Sequence, residues 1–228
     1  FTYSGADWTA DRRKALEEVA VSLLAYFRVD RPVTLTYKVN LEDPQDPDRG
    51  LSSAYSPNLS TLPGYWRTVV QHKLLTGWDA NGSRADGEIS WNWADSKWAL
   101  GDEVASDEVD FVSTAMHELM HSFGFLTSLR APGENRNRNR TYYDRFIVTE
   151  GRSRPFFSAQ WLTSNDPKLT GGEGGLYFGG RNAVKVYGAL VPLYTPAEFS
   201  PGSSVHHIDD ETFTGENRKI MNAFTEDG

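Results

Sequence analysis

Residues 117–121 read His-Glu-Leu-Met-His, a set of side chains that can bind a metal ion and move a proton. Positions i and i+4 of an α-helix share one face a turn apart, so His117 and His121 can present two imidazoles to one ion. Glu118 is rotated off that axis, within reach of a water on the metal without being a ligand itself. Two imidazole ligands with a carboxylate base between them are what metal-assisted hydrolysis needs. The bland reading is a chance match on an exposed helix, and the flanking residues argue against it. Val109, Val112, Met116, Leu119 and Phe123 recur at helical spacing, which gives the segment an apolar stripe beside its His face. Gly124 follows and suits the left-handed position that ends a helix.

A catalytic zinc takes three protein ligands and leaves a fourth position for water. The chain has five His: His72, His117, His121, His206 and His207. His72 sits beside Lys73 in a predicted helix and reads as a surface or packing residue. His206 and His207 are adjacent within Ser203-Ser204-Val205-His206-His207-Ile208-Asp209. Neighbours in an extended segment point to opposite sides, so one of the two is the candidate, and spacing alone does not choose between them. Asp144 and Glu150 compete as carboxylate ligands. For Asp144, inside Tyr142-Tyr143-Asp144-Arg145-Phe146, the alternative is a structural pairing with a nearby Arg. A His third ligand is preferred to either.

The surrounding elements must position these groups. Asp7 is predicted to cap a helix running to about Phe27, with Trp8, Leu16, Val19, Leu23, Leu24 and Phe27 near one face. Val33 to Leu41 reads as a strand, and Glu42 to Gly50 as a polar loop. Thr61-Leu62-Pro63 is expected to start a second helix that turns Trp66, Val69, Val70 and Leu74 inward and ends near Gly77. Asp79 to Glu88 alternates oxygen-bearing side chains with Gly, as a structural Ca2+ loop could. It is shorter than an EF-hand loop and lacks that spacing, so a solvated Asn-Gly and Asp-Gly turn is favoured. Glu88 to Trp93 alternates like a half-buried strand, and the His-bearing helix is expected from about Asp107. Beyond Gly124 helical periodicity fades, Gly and Pro are frequent, and short aromatic strand-like runs appear. Arg136, Arg138 and Arg140 fall in a stretch read as a mobile solvated loop rather than an anion site, because no aromatic stacking platform accompanies them.

Composition narrows the classes. The 228 residues suffice for one large domain or two packed lobes, and 39% are hydrophobic. A formal net charge of −8 argues against a nucleic-acid partner, which needs clustered positive charge. Cysteine is absent, which excludes disulfides, thiolate-bound zinc and a Cys nucleophile. No run of 18 apolar residues is present, so no membrane span is expected. The chain opens at Phe1 without a signal-peptide pattern, and the expectation is a processed or trimmed catalytic segment of a secreted, extracellular protein.

His117-Glu-Leu-Met-His121-Ser-Phe-Gly124-Phe125, a later His and then Met221 together resemble the metzincin clan of zinc endopeptidases. In the compact form of that motif the third ligand would fall at Thr127, which cannot replace a His. The departure resembles the leishmanolysin-like branch, where a long insertion separates the Gly from the third His. Gly202 to Asp209 is similar to a segment of bacterial secreted peptidases of this kind, whose ligand is the His directly before the aliphatic–Asp pair. That implies His207. Ile220-Met221-Asn222 resembles the Met-turn beneath the metal, although seven residues follow Met221 where metzincins commonly place a helix.

The resemblance implies one α+β catalytic domain over residues 1–228, with two lobes and the cleft between them. Residues 1–124 would form an upper lobe of twisted mixed sheet and helices, including the active-site helix. Residues 125–228 would form an irregular lower lobe with the third ligand and the Met-turn. Zn2+ would sit on His117, His121 and His207, with Glu118 as the general base acting on a zinc-activated water and a peptide or protein as substrate. The strand from Ile89 to Trp93 resembles the clan's edge strand, to which a substrate could add as an extra strand. Tyr187 and Tyr194 are the candidates for assisting the oxyanion. Two rival readings stand beside this one: a zinc peptidase with Asp144 or Glu150 as third ligand, and a non-catalytic adhesion or binding module keeping a structural metal. The second has no need of Glu118.

Overall fold

A computed structural model describes residues 1–45 and 50–224. Positions 46–49 of the expected Glu42–Gly50 loop lie outside the described residues, as do four of the seven that follow Met221. The chain is mixed α+β with several sheets. It forms two compact units, one from Phe1–Leu59 and Thr68–Gly124, the other from Ser60–Arg67 and Phe125–Phe224.

In chain order the elements begin β1 (Thr2–Tyr3), α1 (Ala10–Leu24), β2 (Tyr37–Leu41), β3 (Ser52–Tyr55), β4 (Gly64–Trp66) and α2 (Val69–Thr76). They continue β5 (Gly87–Trp91), β6 (Trp98–Ala99), β7 (Val109–Asp110) and α3 (Phe111–Ser122). After α3 come β8 (Asn139–Thr141), β9 (Ile147–Val148), β10 (Phe156–Phe157), β11 (Gln160–Trp161), β12 (Tyr177–Phe178), α4 (Arg181–Tyr187) and β13 (Val191–Pro192).

The first unit is built on a four-stranded mixed sheet of order β1-β2-β5-β3. β1, β2 and β5 run parallel and β3 is antiparallel to β5. Alternation buries Tyr37 and Val39 of β2 and Ile89 and Trp91 of β5, as the period-2 geometry of a strand requires. Leu16, Val19 and Leu23 of α1 and Phe111, Ala115 and Leu119 of α3 join them in one core. Each large apolar side chain fully buried there contributes roughly 1.5–3 kcal/mol. Trp91 anchors an aromatic cluster, its ring 4.6 Å from Phe111 and 4.7 Å from Trp98.

Several expectations shift. The cap of α1 is Thr9, whose Oγ1 accepts the Arg12 N–H at 3.4 Å, rather than Asp7. The helix ends at Leu24 because Tyr26 and Phe27 close tighter turns onto the Leu23 and Leu24 carbonyls. No helix starts at Thr61. Gly64–Trp66 is instead a strand paired in parallel with β8, and α2 begins only after Thr68. There Thr68 and Gln71 cap each other's backbone N–H groups reciprocally, which satisfies two otherwise unpaired donors of the first turn.

The largest correction concerns the substrate-edge strand. β5 lies inside the sheet, bonded to β2 on one side and β3 on the other, so it has no free edge to offer. Among the described residues, β3 is the strand of that sheet with an unpaired side next to α3.

The second unit uses short strands, β9, β12 and β13 forming one antiparallel sheet and β10–β11 a hairpin. Its core is separate, gathering Leu129, Tyr143, Ile147, Trp161, Leu169, Leu193 and Val205 among others. Among the described residues no helix is long and apolar enough to cross a membrane.

Candidate metal centre

The helix that carries the motif starts at Phe111, four residues later than expected. Asp110 caps it by accepting the Val112 N–H at 2.9 Å. Phe111, Ala115 and Leu119 face the core, with Val112 and Met116 partly buried against it. His117 and His121 share another face, their Nε2 atoms 3.0 Å apart and the rings nearly perpendicular at 82°. Two nitrogens at tetrahedral positions on one zinc lie about 3.3 Å apart, given Zn–N bonds of about 2.0–2.1 Å.

Gly124 ends this segment for two reasons. Its φ is +104°, and a Cβ there would stand 2.0 Å from Gln71 Nε2. The Gln71 side chain cannot simply swing away, because its Oε1 accepts the Thr68 N–H in the α2 cap. Thr68 also donates its hydroxyl to the Ser122 carbonyl at 3.2 Å, so the start of α2 and the end of α3 are fastened together.

His207 is delivered by a tightly bonded turn in the second unit. Ser204 Oγ accepts the Ser200 N–H at 2.9 Å, and the Ser204 N–H reaches the Ser200 carbonyl at 2.8 Å. Val205 is buried with φ +66°, a conformation a β-branched residue adopts only when its surroundings enforce it. They do so here. The Val205 N–H bonds Tyr194 O at 2.8 Å, Tyr143 donates its hydroxyl to Val205 O at 3.3 Å, and the Tyr194 N–H bonds His207 O at 2.9 Å. The Ile208 N–H bonds Met221 O at 3.0 Å, so the Ile220-Met221-Asn222 turn is tethered one residue from His207.

His207 Nδ1 is 2.8 Å from the Ser203 carbonyl. A carbonyl can only accept, so Nδ1 carries the proton and Nε2 keeps its lone pair for a metal. His117, His121 and His207 each offer one ligand nitrogen, and these atoms lie within 4.8 Å of one another. The three residues are therefore close enough to hold a metal ion. A set of three imidazoles and no thiolate suits zinc and other imidazole-binding divalent ions. Within the adjacent pair that spacing left open, His207 rather than His206 joins this group; the two rings are 6.4 Å apart.

The other candidates have other partners. Asp144 is fully buried, and its carboxylate accepts bonds from the Thr127 hydroxyl, the Ser128 N–H and hydroxyl, and the Thr141 N–H. Burial raises its carboxyl above the usual range while the Ser128 and Thr127 bonds oppose that rise. Thr127, where the compact motif would put a ligand, is thus a donor to Asp144. Glu150 is exposed. Arg140 is not in a solvated loop: it is 1% exposed. Its guanidinium donates to the carbonyls of Ala159, Asn135 and Asn137 and to Ser128 Oγ. In the Asp79–Glu88 loop the Lys73 ammonium stands 3.1 Å from Asp79 and 3.0 Å from the buried Asp86. His72 is half-buried in α2. Tyr187 is half-exposed and its ring packs on Phe213, whereas the backbone of Tyr194 clasps the His207 turn.

Glu118 is 6% exposed. Ser52 Oγ donates to its Oε1 at 2.8 Å. Burial pushes its carboxyl up to about 7, the Ser52 bond opposes that rise, and the nearby Glu42 charge adds to it. Nothing in the residue type or spacing of Ser52 points to this contact. Only the pairing of β3 with β5, which lays Ser52 opposite Trp91, brings it beside α3.

Comparison with known protein families, curated proteins and solved structures finds no match for this chain.

Proposed function

We propose that this protein is a secreted zinc-dependent endopeptidase of the metzincin kind, resembling its leishmanolysin-like branch. The observation that carries the reading is the pairing of a three-imidazole group, His117, His121 and His207, with a buried carboxylate one residue from the first of them. A structural metal site has no use for such a carboxylate. Hydrolysis does.

His117, His121 and His207 would hold the ion through neutral nitrogens. When bound, zinc supplies Lewis acidity toward the attacking water and the scissile carbonyl. Glu118 acts as general base: it takes the proton of the attacking water and returns it to the leaving amine. Its low exposure favours this role, because a carboxyl lifted toward neutral pH is matched to giving the proton back as well as taking it. The unpaired side of β3 would receive an extended substrate as an added strand, its backbone bonds supplying affinity with little demand on sequence. Glu118 is bonded to Ser52 of that strand, so a substrate strand laid there would run past the base.

Elemental analysis of wild type, Glu118→Gln, His206→Ala and His207→Ala, alongside casein hydrolysis, tests the reading. Expected are about one zinc per chain in wild type and Glu118→Gln, with activity falling 10²–10⁴-fold or more in the latter, the range for loss of a general base. His207→Ala should lose both metal and activity, and His206→Ala should keep the metal. Full activity in Glu118→Gln would refute the mechanism. Tight zinc retained in His207→Ala would refute the ligand set.

A further inference from the structure

We infer that Ser52 is the positioning residue for Glu118, an inference that rests on the proposed peptidase reading. A glutamate side chain has three rotatable bonds. A general base must nevertheless hold its oxygen in one place, since a misplacement of about 1 Å can cost on the order of 100-fold in rate. Ser52 supplies the constraint. Its hydroxyl donates to Glu118 Oε1 at 2.8 Å, inside a region where Glu118 is 6% exposed and water cannot substitute freely. Ser52 is itself held. β3 pairs in register with β5, Ser52 opposite Trp91 and Ala54 opposite Ile89, and both of those partners lie in the core. The Leu51 carbonyl accepts the Asn92 N–H at 2.9 Å just before the strand. Glu118 is thus gripped by one edge strand through a side-chain hydroxyl. The hydroxyl is the part that a substitution can remove.

The grip commits Oε1 of Glu118 to Ser52. It also joins two jobs in one strand, because the strand that holds the base is the one whose free side would receive substrate.

The informative pair is Ser52→Thr and Ser52→Val, nearly equal in shape, both suited to a strand, and differing in the hydroxyl. Steady-state kinetics on an extended peptide, bound zinc and thermal unfolding would be measured for wild type and both variants. Expected are kcat reduced about 10- to 100-fold in Ser52→Val with KM within about twofold, kcat largely retained in Ser52→Thr, and one zinc per chain throughout. A merely structural role would lower the stability of both variants and would not separate them in kcat. Equal kcat for Thr and Val, in a wild type that cleaves peptide, overturns the inference and leaves the peptidase reading standing. A zinc-loaded wild type that cleaves nothing overturns the reading, and the inference with it.

Discussion

Asp144 and His207 compete for one role in the sequence, and their immediate surroundings separate them. The hydroxyls and amides around Asp144 saturate a buried carboxylate, whereas the carbonyl on His207 Nδ1 leaves the opposite nitrogen as a ligand. Asp144 is therefore expected to be a structural residue. Asp144→Ala would strand the donors of Thr127, Ser128 and Thr141 beside the buried Arg140 charge, at a cost of about 3–5 kcal/mol, the range for breaking a buried charged network. Urea unfolding with elemental analysis checks this: stability should drop while zinc per folded chain stays near one. Loss of zinc from a variant of unchanged stability would return Asp144 to the ligand set. The residue scale is also where sequence is most informative. His117, Glu118 and His121 are legible because their chemistry and their spacing coincide within five positions. Ser52 is illegible because a serine is common everywhere and its partner lies 66 positions away.

At the scale of elements, legibility follows period. α3 is readable because twelve residues give helical spacing room to repeat. The strands of the second unit, mostly two residues long, are too short to show any alternation, so that unit reads only as irregular. The misplaced second helix has a different cause. Pro63 is a plausible first-turn residue, but the reciprocal cap of Thr68 and Gln71 is the stronger start signal, and it lies in plain view. The same cap explains Gly124. Gly124→Ala must adopt an unfavourable φ, worth about 1 kcal/mol, and must also displace Gln71 from its cap, worth a further ~0.5–2 kcal/mol. Destabilisation of about 1.5–3 kcal/mol is expected for Gly124→Ala alone. In a Gln71→Ala background the second cost has already been incurred, so the added loss should shrink to about 1 kcal/mol. A double-mutant cycle in urea measures the difference. Strict additivity would mean that the close approach of Gln71 is not what Gly124 serves.

For the whole molecule, the net charge of −8 hides an uneven distribution. The segments Phe1–Leu59 and Thr68–Gly124 carry 10 Lys and Arg against 19 Asp and Glu, while Ser60–Arg67 and Phe125–Phe224 carry 13 against 10. The acidic excess belongs to the unit that contains Glu118 and β3. Around that strand, Glu42 accepts the Ser53 hydroxyl at 2.5 Å, and Glu88 pushes the Tyr55 hydroxyl pKa up, after burial, which is the larger cause. An extended peptide approaching the free side of β3 would therefore meet a negative field, which raises the encounter rate of cationic chains and lowers that of anionic ones. Two peptides that differ only in Lys against Glu a few residues from the scissile bond make the test. At about 10 mM salt, where the Debye length is roughly 30 Å, kcat/KM for the Lys peptide should exceed that of the Glu peptide by about tenfold. Near 1 M salt, where the length falls to about 3 Å, the ratio should approach one. A ratio that stays high at both salt levels would mean a direct side-chain contact rather than a field. A ratio near one at both would mean that the acidic excess of this unit has no part in capturing substrate.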